Sequence, residues 1–263
     1  MIVVNLLRGR YYLSMESATT IDGLLNRRVQ LEQPVAGYRV AIDTVFLAAA
    51  VPARAGERVL DVGCGVGGAM LCLACRVEGL RGEGIDIQPA LVELCLRNIS
   101  RNEFATGLTA RLADIAVLPA DFVGVFEHVL MNPPYHDETR HDVSSDPIKR
   151  TANAEKEGGL GVWVNAAAEA LKDAGYLTLI HRADRLCDIL AFLRNGFGAV
   201  EILPLVPKSG AEPKRVLVRA RKGAPWAEHA CASLVLHDDG TKYSDAAENV
   251  LRHCGSVDFH PAE

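Results

Sequence analysis

From Glu57 onward the chain alternates short, β-rich apolar runs with longer stretches of helical period. The runs "RVLDV" (58–62), "GEGID" (82–86), "LTARL" (108–112), "VFEHVLM" (125–131), "YLTLIH" (176–181), "AVEILPLV" (199–206) and "KRVLVRA" (214–220) predict strands. Helices are predicted over 66–78, 89–102, 159–173 and 184–195, with a further apolar helix upstream in "GYRVAIDTVFLAA". Strands separated by helices of this length predict an α/β, Rossmann-like fold: a seven-stranded, mostly parallel sheet with helices on both faces. Only "PKSGAEP" separates the last two strands, so the sheet is expected to end on an antiparallel hairpin. No internal repeat interrupts the pattern. The segment 136–158 is polar and long for a loop, a character associated with function. Residues 1–19 read as an N-terminal extension, with Met15 a candidate initiator, and 20–223 as the main domain. The tail 224–263 reads as an appendage on that domain, with an added strand in "SLVLHD" and a short helix.

Composition narrows this picture only modestly. At 263 residues, 49% hydrophobic and 23% charged, the chain is long enough for one sizeable core. A net charge of −5 argues against a general coat for nucleic acid, though not against a local basic patch. No apolar run approaches the ~18 residues that span a bilayer, and the apolar run before Arg8 is too short for a secretory leader. Seven cysteines cannot all pair, which fits a reducing, cytoplasmic setting. Cys72 and Cys75 form a C-x-x-C inside the apolar "AMLCLACRV", where core packing is favoured over metal or redox chemistry; no metal site is expected.

The chemistry begins at "VLDVGCGVGG". Gly63, Gly65 and Gly68 satisfy G-x-G-x-x-G between a strand and a helix, and Asp86 ends the next strand 23 residues after Gly63. That spacing suits a nucleoside cofactor whose ribose hydroxyls meet an acid. Asp61 selects the cofactor. A carboxylate two residues before the first glycine repels a pyrophosphate and favours a ligand carrying an ammonium and a sulfonium, S-adenosylmethionine. The plainer reading of Asp61 is a solvated or capping carboxylate. Asp114, after the third strand, is positioned to accept from an adenine amine. Asp43 and Thr44 stand at a predicted helix N-cap and are also within reach of the cofactor's amino-acid end.

The fourth predicted strand stops at "NPPY", because neither proline donates a backbone hydrogen bond. An amide fixed there is a hydrogen-bond acceptor for a planar nitrogen. The Asn132 side-chain oxygen and the Pro133 carbonyl are expected to accept from the two N–H groups of such an amine. They thereby favour the pyramidal geometry in which its lone pair attacks. Tyr135 offers a ring on which a planar base or amide stacks. His136 and His141 read as solvated, since this chemistry needs no imidazole.

Residues 59–135 resemble the class I, Rossmann-like methyltransferases that carry N-P-P-Y and methylate exocyclic or amide nitrogens. More narrowly, "LLNRRVQLEQPVAGYRVAIDTVFLAAA" and "PKSGAEPKRVLVRARKG" resemble the bacterial tRNA adenine-N6 methyltransferases, over about Thr20 to Arg252. The resemblance implies methyl transfer from S-adenosylmethionine to an adenine N6 in RNA, a tRNA. One departure is Arg28, where a glycine is expected before the strand, a change of turn. Between Leu205 and Pro225 the net charge is +5, and Arg215, Arg219 and Arg221 share one strand parity. Lys214 and Arg215, with Lys149 and Arg150 from the long loop, are therefore candidate phosphate contacts; the bland alternative is a charged edge that blocks sheet-to-sheet pairing. A protein-glutamine N5-methyltransferase would use the same acceptors. It usually carries a helical domain ahead of the glycine loop, and fewer than 60 residues of strand and helix stand there. Ribosomal RNA and DNA amino-methylation remain alternatives, as does a non-catalytic binding module, against which the complete motif set argues.

Overall fold

The computed structural model describes residues 3–7, 10–14, 18–36, 39–134, 159–238, 240 and 242–262. Tyr135, His136, His141, Lys149 and Arg150 lie outside the described residues. Two hairpins come first: β1 (Val3–Leu7) with β2 (Arg10–Ser14), and β3 (Thr19–Leu24) with β4 (Val29–Pro34). Helix α1 (Ile42–Ala50) leads into the alternating region. There β5 (Arg58–Val62), α2 (Gly68–Arg76), β6 (Arg81–Asp86), α3 (Pro89–Arg101), β7 (Leu108–Leu112) and β8 (Phe126–Met131) follow one another. After the long loop come α4 (Gly159–Ala170), β9 (Leu171–Arg182), α5 (Leu186–Leu193), β10 (Phe197–Val206) and β11 (Arg215–Lys222). The tail adds β12 (Glu228–Ala230), β13 (Leu234–Val235) and α6 (Asp245–His253).

The seven expected strands form one sheet in the order β10-β11-β9-β8-β5-β6-β7, with β11 antiparallel to both neighbours. The expected hairpin is present, but it does not end the sheet. β12 and β13 pair in parallel along the outer edge of β10, so the sheet has nine strands. The reason is the edge itself: an apolar strand with unpaired backbone groups is a template, and the tail fills it.

β5 is buried at four of its five positions, as a strand covered on both faces must be. One apolar layer lies under α1, α2 and α3, around Phe46, Leu71, Leu130 and Leu217; the other lies under α4 and α5, around Leu60, Phe126, Met131 and Leu179. β4 docks on α3 through amides. Asn98 and Asn102 each accept a backbone N–H from β4, of Glu32 at 2.7 Å and Gln30 at 2.9 Å, and each donates to the carbonyl of the same residue at 2.9 Å. Two buried side chains thus imitate a neighbouring strand.

Candidate functional site

Strand register brings the predicted residues into one row. Val62 is paired with Ile85 on one side and Met131 on the other, and Asp86 with Leu112. The next positions are Gly63, Asp86, Asn132 and, after β7, Asp114, so all stand at the carboxyl ends of adjacent parallel strands. The chain runs from β5 to β6 and β7 on one side and returns to β8 on the other. Such a switch point leaves a crevice where ligands bind.

The loop after β5 is held by three left-handed glycines, Gly63 (φ 67°), Gly65 (φ 55°) and Gly67 (φ 86°). Gly67, not Gly68, supplies the third turn and is the N-cap of α2. At Gly63 there is a second constraint, since a Cβ there would lie 2.2 Å from Cη2 of Trp163. The indole, carried on α4, therefore forms a wall of the loop. Trp163 was missed in the sequence because nothing local links it to a glycine 100 residues earlier.

Two acids bracket this loop. Asp86 accepts from the Gly65 N–H at 3.0 Å and the Gln88 N–H at 2.9 Å. Burial raises its pKa, partly offset by those backbone donors. Asp61 is 3% exposed and accepts from the Met70 N–H, in the first turn of α2, at 3.3 Å. Burial raises its carboxyl to about 7, the Met70 donor lowers it, and the charge of Asp86 raises it further. Asp61 thus has a capping role, yet among the described residues one long hydrogen bond leaves most of its acceptor capacity unused. Two buried carboxyls whose donors among the described residues are backbone N–H groups fit a ligand that brings hydroxyl and ammonium donors, as S-adenosylmethionine does. Ile87 follows Asp86 and is 47% exposed, an apolar surface beside the ribose acid. Its signal in the sequence is an apolar residue directly after a strand-ending acid. Asp114 accepts from the Ala116 N–H at 2.9 Å, which fixes the turn after β7.

Asn132 is half-buried at the end of β8, Pro133 is buried and Pro134 exposed. Asp43 and Thr44 depart from expectation as caps: the N-cap is Ala41, and no side chain caps α1. The helix starts two residues earlier than a cap at Asp43 requires, and Asp43 instead pairs with Arg215 Nε at 2.7 Å. Thr44 is buried against the start of α2, where its methyl would lie 3.3 Å from a Cβ on Gly68. Arg215, Arg219 and Arg221 do project from one face of β11, but the first two are matched by acids, Arg219 by Glu201 at 2.6 Å. Lys214 is exposed. Among the described residues no cluster of three or more His, Cys, Asp or Glu could hold a metal ion, and no helix is long and apolar enough to cross a membrane.

A glycine loop, flanking buried acids and a strand-ending N-P-P at a switch point define a class I methyltransferase fold with a site for S-adenosylmethionine. The chain belongs to the methyltransferase small domain family, which it matches over residues 36–205. It is 27% identical over 228 residues to a tRNA1(Val) (adenine(37)-N6)-methyltransferase of Dickeya chrysanthemi, covering 81% of this chain and 86% of that one. A protein of the same name from Porphyromonas gingivalis is 29% identical over 202 residues, covering 73% and 77%. Among solved structures, a predicted O-methyltransferase from Agrobacterium tumefaciens superposes with a TM-score of 0.70 at 24% identity, covering 82% of this chain and 98% of that one. The chain is an S-adenosylmethionine-dependent methyltransferase.

Proposed function

We propose that this enzyme methylates the N6 amine of an adenine in RNA, a tRNA, in the cytoplasm. The observation that carries the reading is the Asn132–Pro133 pair of acceptors at the end of β8, beside the glycine loop that ends β5. When bound, S-adenosylmethionine supplies an electrophilic methyl group on a sulfonium centre. The Asn132 side-chain oxygen and the Pro133 carbonyl accept from the two N–H groups of the amine. Its lone pair, withdrawn from the ring, would bond to the methyl carbon as the carbon–sulfur bond breaks, the neutral thioether leaving with the bonding pair and one amine proton passing to solvent. Fixed dipoles do this work, so no strong base is required. Asp86 accepts from the ribose hydroxyls, Asp114 from the cofactor adenine, and Asp61, Asp43 and Thr44 serve its amino-acid end beside the backbone of Gly63 and Gly65. Tyr135 stacks on the target base; Lys149, Arg150, Lys214 and Arg215 contact RNA phosphates. The relatives named as tRNA adenine-N6 methyltransferases support the choice of substrate.

The test is transfer of labelled methyl to unmodified total tRNA, with ribosomal RNA, DNA and release-factor protein in parallel. N6-methyladenosine recovered from digested tRNA is the expected product. Label confined to protein would move the acceptor to a glutamine amide, and label confined to ribosomal RNA would overturn the choice of tRNA.

A further inference from the structure

The fold splits the C-x-x-C of residues 72–75. Cys72 is turned into the core at 3% exposed, whereas Cys75, at the end of α2, is half-buried and faces Cys254 with 3.5 Å between the sulfurs. Cys254 follows α6 directly and adopts a left-handed φ of 58°, a position where glycine is the usual residue. Arg28 Nη1 donates to Cys254 Sγ at 3.3 Å. A guanidinium has no acceptor, so the Cys254 sulfur must accept.

Arg28, the residue standing where a glycine was expected, is presented by a turn with three consecutive left-handed residues, Leu25 (φ 51°), Asn26 (φ 56°) and Arg27 (φ 64°). A small hollow lined in part by Leu25, Ala48, Arg76, Val250 and Cys254 opens beside the pair. A cation against one sulfur, a second sulfur within reach and an opening to solvent are the requirements of thiol–disulfide exchange.

We propose that Cys254 and Cys75 form a reversible dithiol site that reacts with small-molecule disulfides of the glutathione class. The Cys254 sulfur, as the anion, attacks one sulfur of the incoming disulfide. The S–S bond of the reagent breaks, and one thiolate leaves with the bonding pair and takes up the proton lost by Cys254. Cys75 then attacks the Cys254 sulfur of the mixed disulfide and expels the second thiolate, which takes up the Cys75 proton. One reagent disulfide is reduced to two thiols as one protein disulfide forms.

The order of attack follows from the surroundings. Burial first, then the hydrogen bond to Cys254 and the charge of Cys254, push the Cys75 thiol up to about 12, while Arg28 acts to lower it. Capping Cys254 removes both of its contributions, so burial alone then opposes the Cys75 anion and Arg28 favours it, which makes Cys75 the second sulfur to react. The sulfurs must close by roughly 1.5 Å to reach bonding distance. The bond would join α2, which opens from the glycine loop, to the end of α6 across 179 positions of chain.

The experiment incubates the full chain with glutathione disulfide and follows intact mass, with peptide mapping. Loss of about 2 Da, two hydrogens, reversed by dithiothreitol and mapped to a Cys75–Cys254 link, is expected. Cys75→Ser should instead trap a glutathione adduct on Cys254, and Cys254→Ser should abolish the link. Arg28→Gln should slow its formation several-fold, with partial recovery in Arg28→Lys. The oxidised chain should melt roughly 5 °C above the reduced one. No mass change, a link at Cys72–Cys75 or Cys64–Cys95, or an adduct confined to Cys187 would overturn the proposal. A link that forms at the same rate in Arg28→Gln would overturn the role of the arginine.

Discussion

In the parallel half of the sheet, Asp61 and Asp86 are buried beside glycine backbone, and their hydrogen-bond donors among the described residues are main-chain N–H groups. On the antiparallel half, two acids meet arginines of β11: Asp43 of α1 pairs with Arg215 at 2.7 Å and Glu201 of β10 with Arg219 at 2.6 Å, while Arg219 also lies 4.1 Å over the Phe259 ring. The first arrangement costs stability until donors arrive, as the raised carboxyl pKa values express. The second satisfies itself. Cofactor affinity is therefore expected to rest chiefly on the unmatched acids Asp61 and Asp86, whereas the Glu201–Arg219 pair belongs to the frame.

Four measurements sharpen this contrast, in descending order of effect. Asn132→Ala should lower turnover roughly 10²- to 10³-fold while cofactor affinity stays within about twofold. A parallel loss of affinity would show that Asn132 holds the cofactor rather than the amine. Asp86→Ala should weaken cofactor affinity roughly 10- to 100-fold, since charge-assisted hydrogen bonds are worth about 1.5–3 kcal/mol. Its turnover at saturating cofactor should remain near that of the parent, and unchanged affinity in titration calorimetry would remove Asp86 from the site.

The third measurement is the melting temperature of the cofactor-free protein against pH. Burial raises Asp61 to about 7 from its ordinary 3.8, so folding favours the protonated form. This contribution is complete below about pH 4, where the carboxyl is protonated folded or unfolded, and is lost as pH rises through 7. The parent should lose several degrees over that interval relative to Asp61→Asn, and identical profiles would refute the linkage. Arg219→Ala should cost least, about 1 kcal/mol and roughly 2–4 °C of melting temperature, with cofactor affinity unchanged. A drop in affinity there would mean that the two halves are coupled.

Much of the parallel half was legible because its signals are local. Strands β5 to β8 were written as apolar runs, and the left-handed turns at Gly63 and Gly65 follow from residues that lack a Cβ. Asp86 and Asn132 ended their strands as expected. The antiparallel half was legible in its parity but not in its pairing. The odd positions of β11 share a face, yet nothing near Arg215 in the chain announces Asp43, 172 residues away. The cap predicted at Asp43 failed for the same reason, because a distant guanidinium recruits that carboxylate and Ala41 starts the helix.

The sequence by itself determined the order of strands and helices from β5 to β11, the glycine loop, the strand-ending acids and the rigid N-P-P, each set by sterics or periodicity within a few residues. Only the tertiary structure decided what lies beside them. It set Trp163 against Gly63, gave Asn98 and Asn102 the backbone of β4, laid the tail along β10 and placed Cys254 before Cys75. Those contacts join residues tens to hundreds of positions apart, where no local preference acts and the shared burial of distant segments selects the partner.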